Sequence, residues 1–179
     1  LSAAWVNGPD TDNAIFFDTT KVTLVTGGGP IHTSLRDINH WLFVVKSTND
    51  TLHIFGCQLT SGDTPADAEA RFQEVLLLRY TMHTLPFNNL SILCGDLNAY
   101  SASETAYNQL IYIGGLPTLF ADPINRPGNW HSNESFVDVH TQSTRVRQFG
   151  GGASGGLDDR FDFVLLSYDL LNNYLPNSY

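Results

Sequence analysis

The sequence predicts one mixed α/β or α+β domain. Its 179 residues are 42% hydrophobic and 12% aromatic, enough to build a core rather than a disordered tail. Short β-branched and aromatic runs fill the first third, after which the texture switches to helical spacing and back again.

The first runs are Asn13–Phe17, Val22–Val25, Trp41–Val45 and Leu52–Leu59, separated by Gly27–Pro30 and by Ser47–Asp50. They read as strands in consecutive hairpins. Asp63-Thr64-Pro65 then supplies a cap and a proline in the first turn, and Phe72, Val75, Leu76, Arg79, Tyr80 and His83 follow at helical spacing. A helix of about five turns is expected, ended by Pro86 and Asn88-Asn89. Leu90–Cys94 is an apolar run of buried-strand type that leads directly into Gly95-Asp96-Leu97-Asn98. Ser103–Ile113 fits a second helix, with Glu104 in its first turn and Gly114-Gly115 closing it. Residues 121–160 hold Pro123, Pro127, Gly128 and the run Gly150–Gly156, so long surface loops are expected, and such loops tend to carry function. Phe161–Leu166 makes a last strand.

Eighteen acidic residues stand against nine basic ones, a net charge of −9. That balance disfavours binding nucleic acid through a broad basic face. A phosphate-bearing substrate would need local help, and a divalent cation held by carboxylates can invert the field. No run of eighteen or more apolar residues exists, and the start at Leu1 shows no basic, then apolar, targeting pattern. Because residue 1 is not Met, the chain is expected to be processed, trimmed or partly captured. Cys57 and Cys94 lie in apolar runs, where buried free thiols are the commoner state.

Asp96 and Asn98 sit two apart where a buried strand runs out into a loop. On an extended chain that spacing places both side chains on one face, where a carboxylate and an amide can orient a water and steady phosphoryl charge. An Asx turn ending the strand is the plainer alternative. Asp162 interrupts an apolar strand and needs a partner. It either pairs with Arg160 or a histidine, the second being a way to prepare an acid or base, or faces away from Phe161 and Phe163 at an open edge. The six histidines show no zinc-ligand spacing, and the glycine run after Phe149 matches no nucleotide-cradling motif.

Taken in order, Gln58-Leu-Thr-Ser-Gly62, a helix with Arg71, Gly95-Asp-Leu-Asn98, His140-Thr-Gln-Ser-Thr-Arg145 and Asp159-Arg-Phe-Asp-Phe-Val-Leu-Leu-Ser167 resemble the endonuclease/exonuclease/phosphatase superfamily over nearly the whole chain. Asn13–Phe17, Leu35–Ile38 and Gly155–Arg160 are similar to secreted bacterial, Bacteroidetes-like members. The resemblance implies a four-layer α/β sandwich, two facing mixed sheets flanked by helices, with an Mg²⁺- or Mn²⁺-dependent site at one edge. It makes Asp96 the residue that positions the nucleophilic water and touches metal, Asn98 the transition-state amide, and Asp162 the partner of a catalytic histidine. Gln58, Arg36, Thr141 and Arg160 would face the substrate or support the residues that do. The substrate would be a phosphoester, nucleic acid among the candidates, and the setting extracellular or cell-surface.

Three departures accompany the resemblance. Gln58 stands where members commonly carry a histidine, and an amide cannot move a proton. No strand carrying a metal-binding glutamate is read before Asn13, and no terminal Ser-Asp-His-like motif follows the last strand. The expectation is therefore one domain, residues 1–179, truncated at both ends and poorly active by itself. A non-catalytic binding or structural relative is the competing reading.

Overall fold

The computed structural model describes residues 1–85, 90–111, 120–147 and 154–176. Strands β1 (Ser2–Val6) and β2 (Asn13–Phe17) form a two-stranded antiparallel sheet. Strands β3 (Val22–Ile31), β4 (Ile38–Val45), β5 (Thr51–Gln58), β6 (Leu90–Asp96) and β7 (Asp162–Leu166) form a five-stranded mixed sheet in that order. Only β5 and β6 run parallel, and helix α1 (Pro65–His83) is the crossover such a pair requires. Helix α2 (Thr105–Ile111) follows β6, a 3₁₀ turn spans Glu134–Val139, and the short helix α3 (Tyr168–Leu171) follows β7. The α/β class with a mixed sheet is as the sequence indicates.

Several boundaries differ from the expectation. A strand does precede Asn13–Phe17: β1 pairs with it from Ser2↔Phe17 to Val6↔Asn13, and its sequence, SAAWV, holds no glutamate. Consequently β2 closes back on β1 rather than on to β3. Gly27–Pro30 is no turn but lies within β3, whose register slips between Leu24 and Thr26 and again between Thr26 and Gly29. Glycine tolerates such bulges without ending the strand. The expected helix stops at Pro86, Asn88-Asn89 and Gly114-Gly115, and the first part of the glycine run, lie outside the described residues.

Helix α1 starts as read. Thr64 caps it, accepting from the Asp67 N–H, while Asp67 accepts from the Thr64 N–H, and Pro65 takes the first turn. The inward face is shifted, however. Arg71, Glu74, Val75, Leu78 and Arg79 are buried, while Tyr80 is exposed. Polar residues win inward positions because each finds a partner there, as the site requires below.

Alternation divides the five-stranded sheet. Phe55, Leu93, Phe163 and Leu165 join Val75 and Leu78 of α1, Tyr107 and Leu110 of α2, and Phe120 and Trp130 in one core. On the other face Trp41 and Phe43 are buried beneath the β1–β2 hairpin: the Phe17 ring meets Phe43 edge-on at 5.0 Å, and Asn13 Nδ2 donates to Asn39 Oδ1 at 2.6 Å. Cys57 and Cys94 are both free. Cys57 sits opposite Gly95, and Gly56 opposite Cys94, so the thiols point to opposite faces and cannot bridge.

On the helix side, His40 Nε2 lies 2.7 Å from His53 Nδ1, and the His40 ring stacks on Phe55 at 4.6 Å. Burial, and secondly the charge of His53, pushes His40 down to about 4. A depressed histidine adds stability that is complete above the ordinary value of 6.5 and is lost as pH falls through 4. Stability is expected to hold from pH 8 to 6.5, then to drop by roughly 2 kcal/mol towards pH 4 after discounting for the part-exposed ring. Urea unfolding across that range measures it. A His40→Gln variant should lose the steepest part of the slope, and an unchanged slope would place the acid sensitivity elsewhere.

Candidate active site

Three strands end in register. Gln58 of β5 lies opposite Asp96 of β6, and Asp96 opposite Asp162 of β7, so a row of three polar side chains crosses the sheet edge on the face away from α1. The ladder continues just past the row, with the Leu59 N–H donating to the Asp96 carbonyl at 2.9 Å and the Leu97 N–H to the Phe161 carbonyl at 2.7 Å. Gly95 makes the close approach possible. Its φ is +141°, and a Cβ there would stand 1.9 Å from the Cys57 carbonyl oxygen.

Beyond the row the chain turns sharply. Asn98 adopts φ 49°, its N–H donates to Asp96 Oδ1 at 2.9 Å, and its side-chain amide donates to the Leu59 carbonyl at 2.9 Å. The Asx turn is thus present. Asn98 is buried: the left-handed turn lets its amide clamp the segment after β5 while its side chain stays close enough to Asp96 to lower the carboxyl. The same segment is held from α1. Glu74 accepts from the Thr60 N–H and hydroxyl, and Arg71 donates to the Thr60 and Gly62 carbonyls while pairing with Glu104 at 2.9 Å. Arg71 and Glu74 were not singled out as partners of the site. Charged residues recurring at inward helical positions are the signal that would have found this pair.

Asp96 is half-buried, and its carboxyl is raised above the ordinary value first by burial and also by the charge of Asp162, against the opposing pull of Asn98 and Arg36. Burial raises Asp162 as well. Asp162 is exposed and faces away from Phe163, which is buried. The structure gives Arg160 to a different carboxylate. Its guanidinium is fully buried, donates to both Asp122 oxygens at 2.7 and 2.9 Å and lies 4.3 Å over the Phe163 ring. Buried in this way it does not face open space, and of the two roles expected of it the supporting one fits its position.

Arg36 approaches the row from the β3–β4 turn and ion-pairs with Asp10 at 2.7 Å. Its Nη1 is buried with no hydrogen-bond partner among the described residues. Thr141 is half-buried and lines the cavity beside Asp162. Its hydroxyl accepts from the Phe161 and Asp162 N–H groups at 3.1 and 2.9 Å, pinning the preceding loop to the start of β7. Beside Asp162 opens a cavity of about 450 Å³ with Pro123, Val164, Leu166 and Tyr174 in its wall.

Two carboxylates raised by desolvation, Asp96 also by the charge of Asp162, are hard oxygen donors of the kind that Mg²⁺ or Mn²⁺ prefers. A cation would relieve both penalties. Among the described residues no group of three or more His, Cys, Asp and Glu side chains stands together. The pair therefore fits a cation that keeps much of its water, as Mg²⁺ does.

The chain has the fold of endonuclease/exonuclease/phosphatase proteins. It superposes on a member of that family from Bacteroides thetaiotaomicron with a TM-score of 0.58 at 16% identity, over 93% of this chain and 61% of that one. A mannosyl-6-phosphatase from the same organism gives 0.57 at 16%, over 93% and 63%. D. rerio TDP2, complexed with a single-strand DNA product, gives 0.56 at 14%, over 93% and 62%. This chain thus spans about three-fifths of the length of these structures. No protein-family model and no curated protein matches the sequence.

Proposed function

We propose that this chain carries part of the active site of a divalent-metal-dependent phosphoester hydrolase acting on phosphodiesters, nucleic acids among them. The observation that carries the reading is the in-register row Gln58, Asp96, Asp162, whose two carboxylates are both held above their ordinary pKa at one sheet edge. The fold shared with a phosphatase and with a protein bound to a DNA product supports the substrate class.

In this reading Asp96, with Asp162 beside it, would hold Mg²⁺ or Mn²⁺. The metal would supply Lewis-acid neutralisation of charge on the phosphoryl oxygens. Asp96 would orient the attacking water, and the Asn98 N–H fixes the rotamer from which it does so. Gln58 donates an amide hydrogen to a phosphoryl oxygen, a positioning task that needs no proton transfer. Arg36 offers its buried, unpaired Nη1 to the same anion.

The complete protein, assayed on bis(p-nitrophenyl) phosphate and on a single-stranded oligonucleotide, is expected to hydrolyse both with Mg²⁺ or Mn²⁺. Activity should vanish in EDTA and return when metal is restored. Gln58 and the small carboxylate set favour a second reading, a binding module that keeps the fold without turnover. Metal-independent binding of the oligonucleotide with no hydrolysis under any metal would establish that one instead.

A further inference from the structure

A second polar constellation stands over the ends of β6 and β7, and the row just described does not use it. Asp159 is buried, with its side chain only 4% exposed, and both of its oxygens lie 3.0 Å from His131 Nδ1. The His131 side chain is half-exposed. A carboxylate on Nδ1 fixes that nitrogen as the donor and so leaves Nε2 as the working atom. Nε2 has no hydrogen-bond partner among the described residues. The ring is also held by the edge of Tyr100, 5.1 Å away, which packs in turn on Phe161 at 5.2 Å.

The backbone stitches this pair to the site. The His131 N–H donates to the Tyr100 carbonyl at 3.3 Å, the Ser132 N–H to Asp158, and the Thr141 N–H to the Asp159 carbonyl at 3.0 Å. Tyr100 follows Asp96 by four residues and Asp159 precedes Asp162 by three. At about 3.4 Å per extended residue, these anchors lie within roughly 10–14 Å of the carboxylate row. That is the span of a few nucleotides along one strand, at about 3.4 Å each.

We propose that His131, oriented by Asp159, donates from Nε2, as the imidazolium with both ring nitrogens protonated, to a phosphate a few nucleotides from the scissile one, so that the site prefers substrates carrying more than one phosphate along a chain. The inference rests on the hydrolase reading and deepens it. A buried carboxylate with both oxygens on one half-exposed imidazole is a costly arrangement for a surface loop, and a substrate anion at Nε2 gives it a use. An imidazolium donor also offers a local positive contact to an acidic protein that lacks a broad basic face.

The test has two arms. Inorganic phosphate titrated into the complete protein is expected to move the His131 imidazole resonances saturably, the assignment being made by their loss in His131→Gln. In steady-state assays His131→Gln should raise KM for a trinucleotide about tenfold, the worth of one charge-assisted hydrogen bond, with kcat little changed. Asp159→Asn should act in the same direction, with a melting curve to show that it folds. His131 resonances indifferent to phosphate would overturn the proposal. So would an equal fall in kcat on the trinucleotide and on bis(p-nitrophenyl) phosphate, because it would place His131 at the scissile group. If the protein hydrolyses nothing, the hydrolase reading fails while the resonance titration still reports on His131.

Discussion

Gly95→Ala is expected to cost the fold about 4 kcal/mol or more, the range of a severe core lesion. The added Cβ would meet the Cys57 carbonyl oxygen at 1.9 Å and its carbon at 2.9 Å, and both are backbone atoms of the neighbouring parallel strand. Neither can rotate aside. The φ of +141° adds strain that an L side chain rarely bears. Relief would separate β5 from β6 where Gln58 meets Asp96, so the site should be lost along with stability. Gly29→Ala in β3 is the control, since a Cβ there meets nothing within 4 Å, and it should change stability little. Urea unfolding of both variants decides the matter. A Gly95→Ala protein within 1 kcal/mol of the parent would mean that the strand does not kink as described.

Asp96→Asn should reduce turnover a hundredfold or more, because one preorganised contact to transition-state charge is worth about 3 kcal/mol. The fold should meanwhile gain stability. A carboxyl raised in the folded state binds its proton more tightly there than in the unfolded chain. The sign therefore follows: the parent loses stability as pH rises above the ordinary value of 3.8 through the raised one, and keeps that deficit at neutral pH. Asparagine removes the deficit and can still accept from the Asn98 N–H. Melting at pH 7 should accordingly favour Asp96→Asn by on the order of 1 kcal/mol, with the advantage shrinking in acid. Loss of stability at neutral pH, or turnover close to the parent's, would contradict the role given to this carboxylate.

Much of the fold could be read in advance, and the misses have physical causes. Helix α1 was visible because Thr64 and Pro65 write its start locally. Strand β1 was missed because Ser2, Ala3 and Ala4 have little preference for a pleat and depend on pairing with β2. The Gly27–Pro30 run misled for the opposite reason, as turn-forming residues were absorbed by bulges that β4 stabilises from outside. At the site, the adjacency of Gln58 and Asp96 was foreseeable from two strands ending in polar residues, whereas that of Asp162, at the start of β7, was not. The inward turn of Asn98 was not, because it depends on a positive φ and on the distant Leu59 carbonyl. Nor could the sequence tell that Arg160 would pair with Asp122, a contact set by burial against Trp130 and Phe163.

The order in which the sheet is assembled bears on when this site can exist during folding. The β3–β4–β5 meander closes through short connections, and β6 joins it after a single helix. Strand β7 arrives only after a long excursion: Ser167, just past its end, accepts from the Ser91 N–H 76 residues away. Closing so long a loop is entropically slow, and distant pairings tend to form late. Asp162 and the Asp159–His131 pair therefore come to Asp96 together, when the last strand docks. By that tendency Asp96 and Gln58 would be in place before the opposing carboxylate, which would keep the repulsion between the two acids out of the early folding steps.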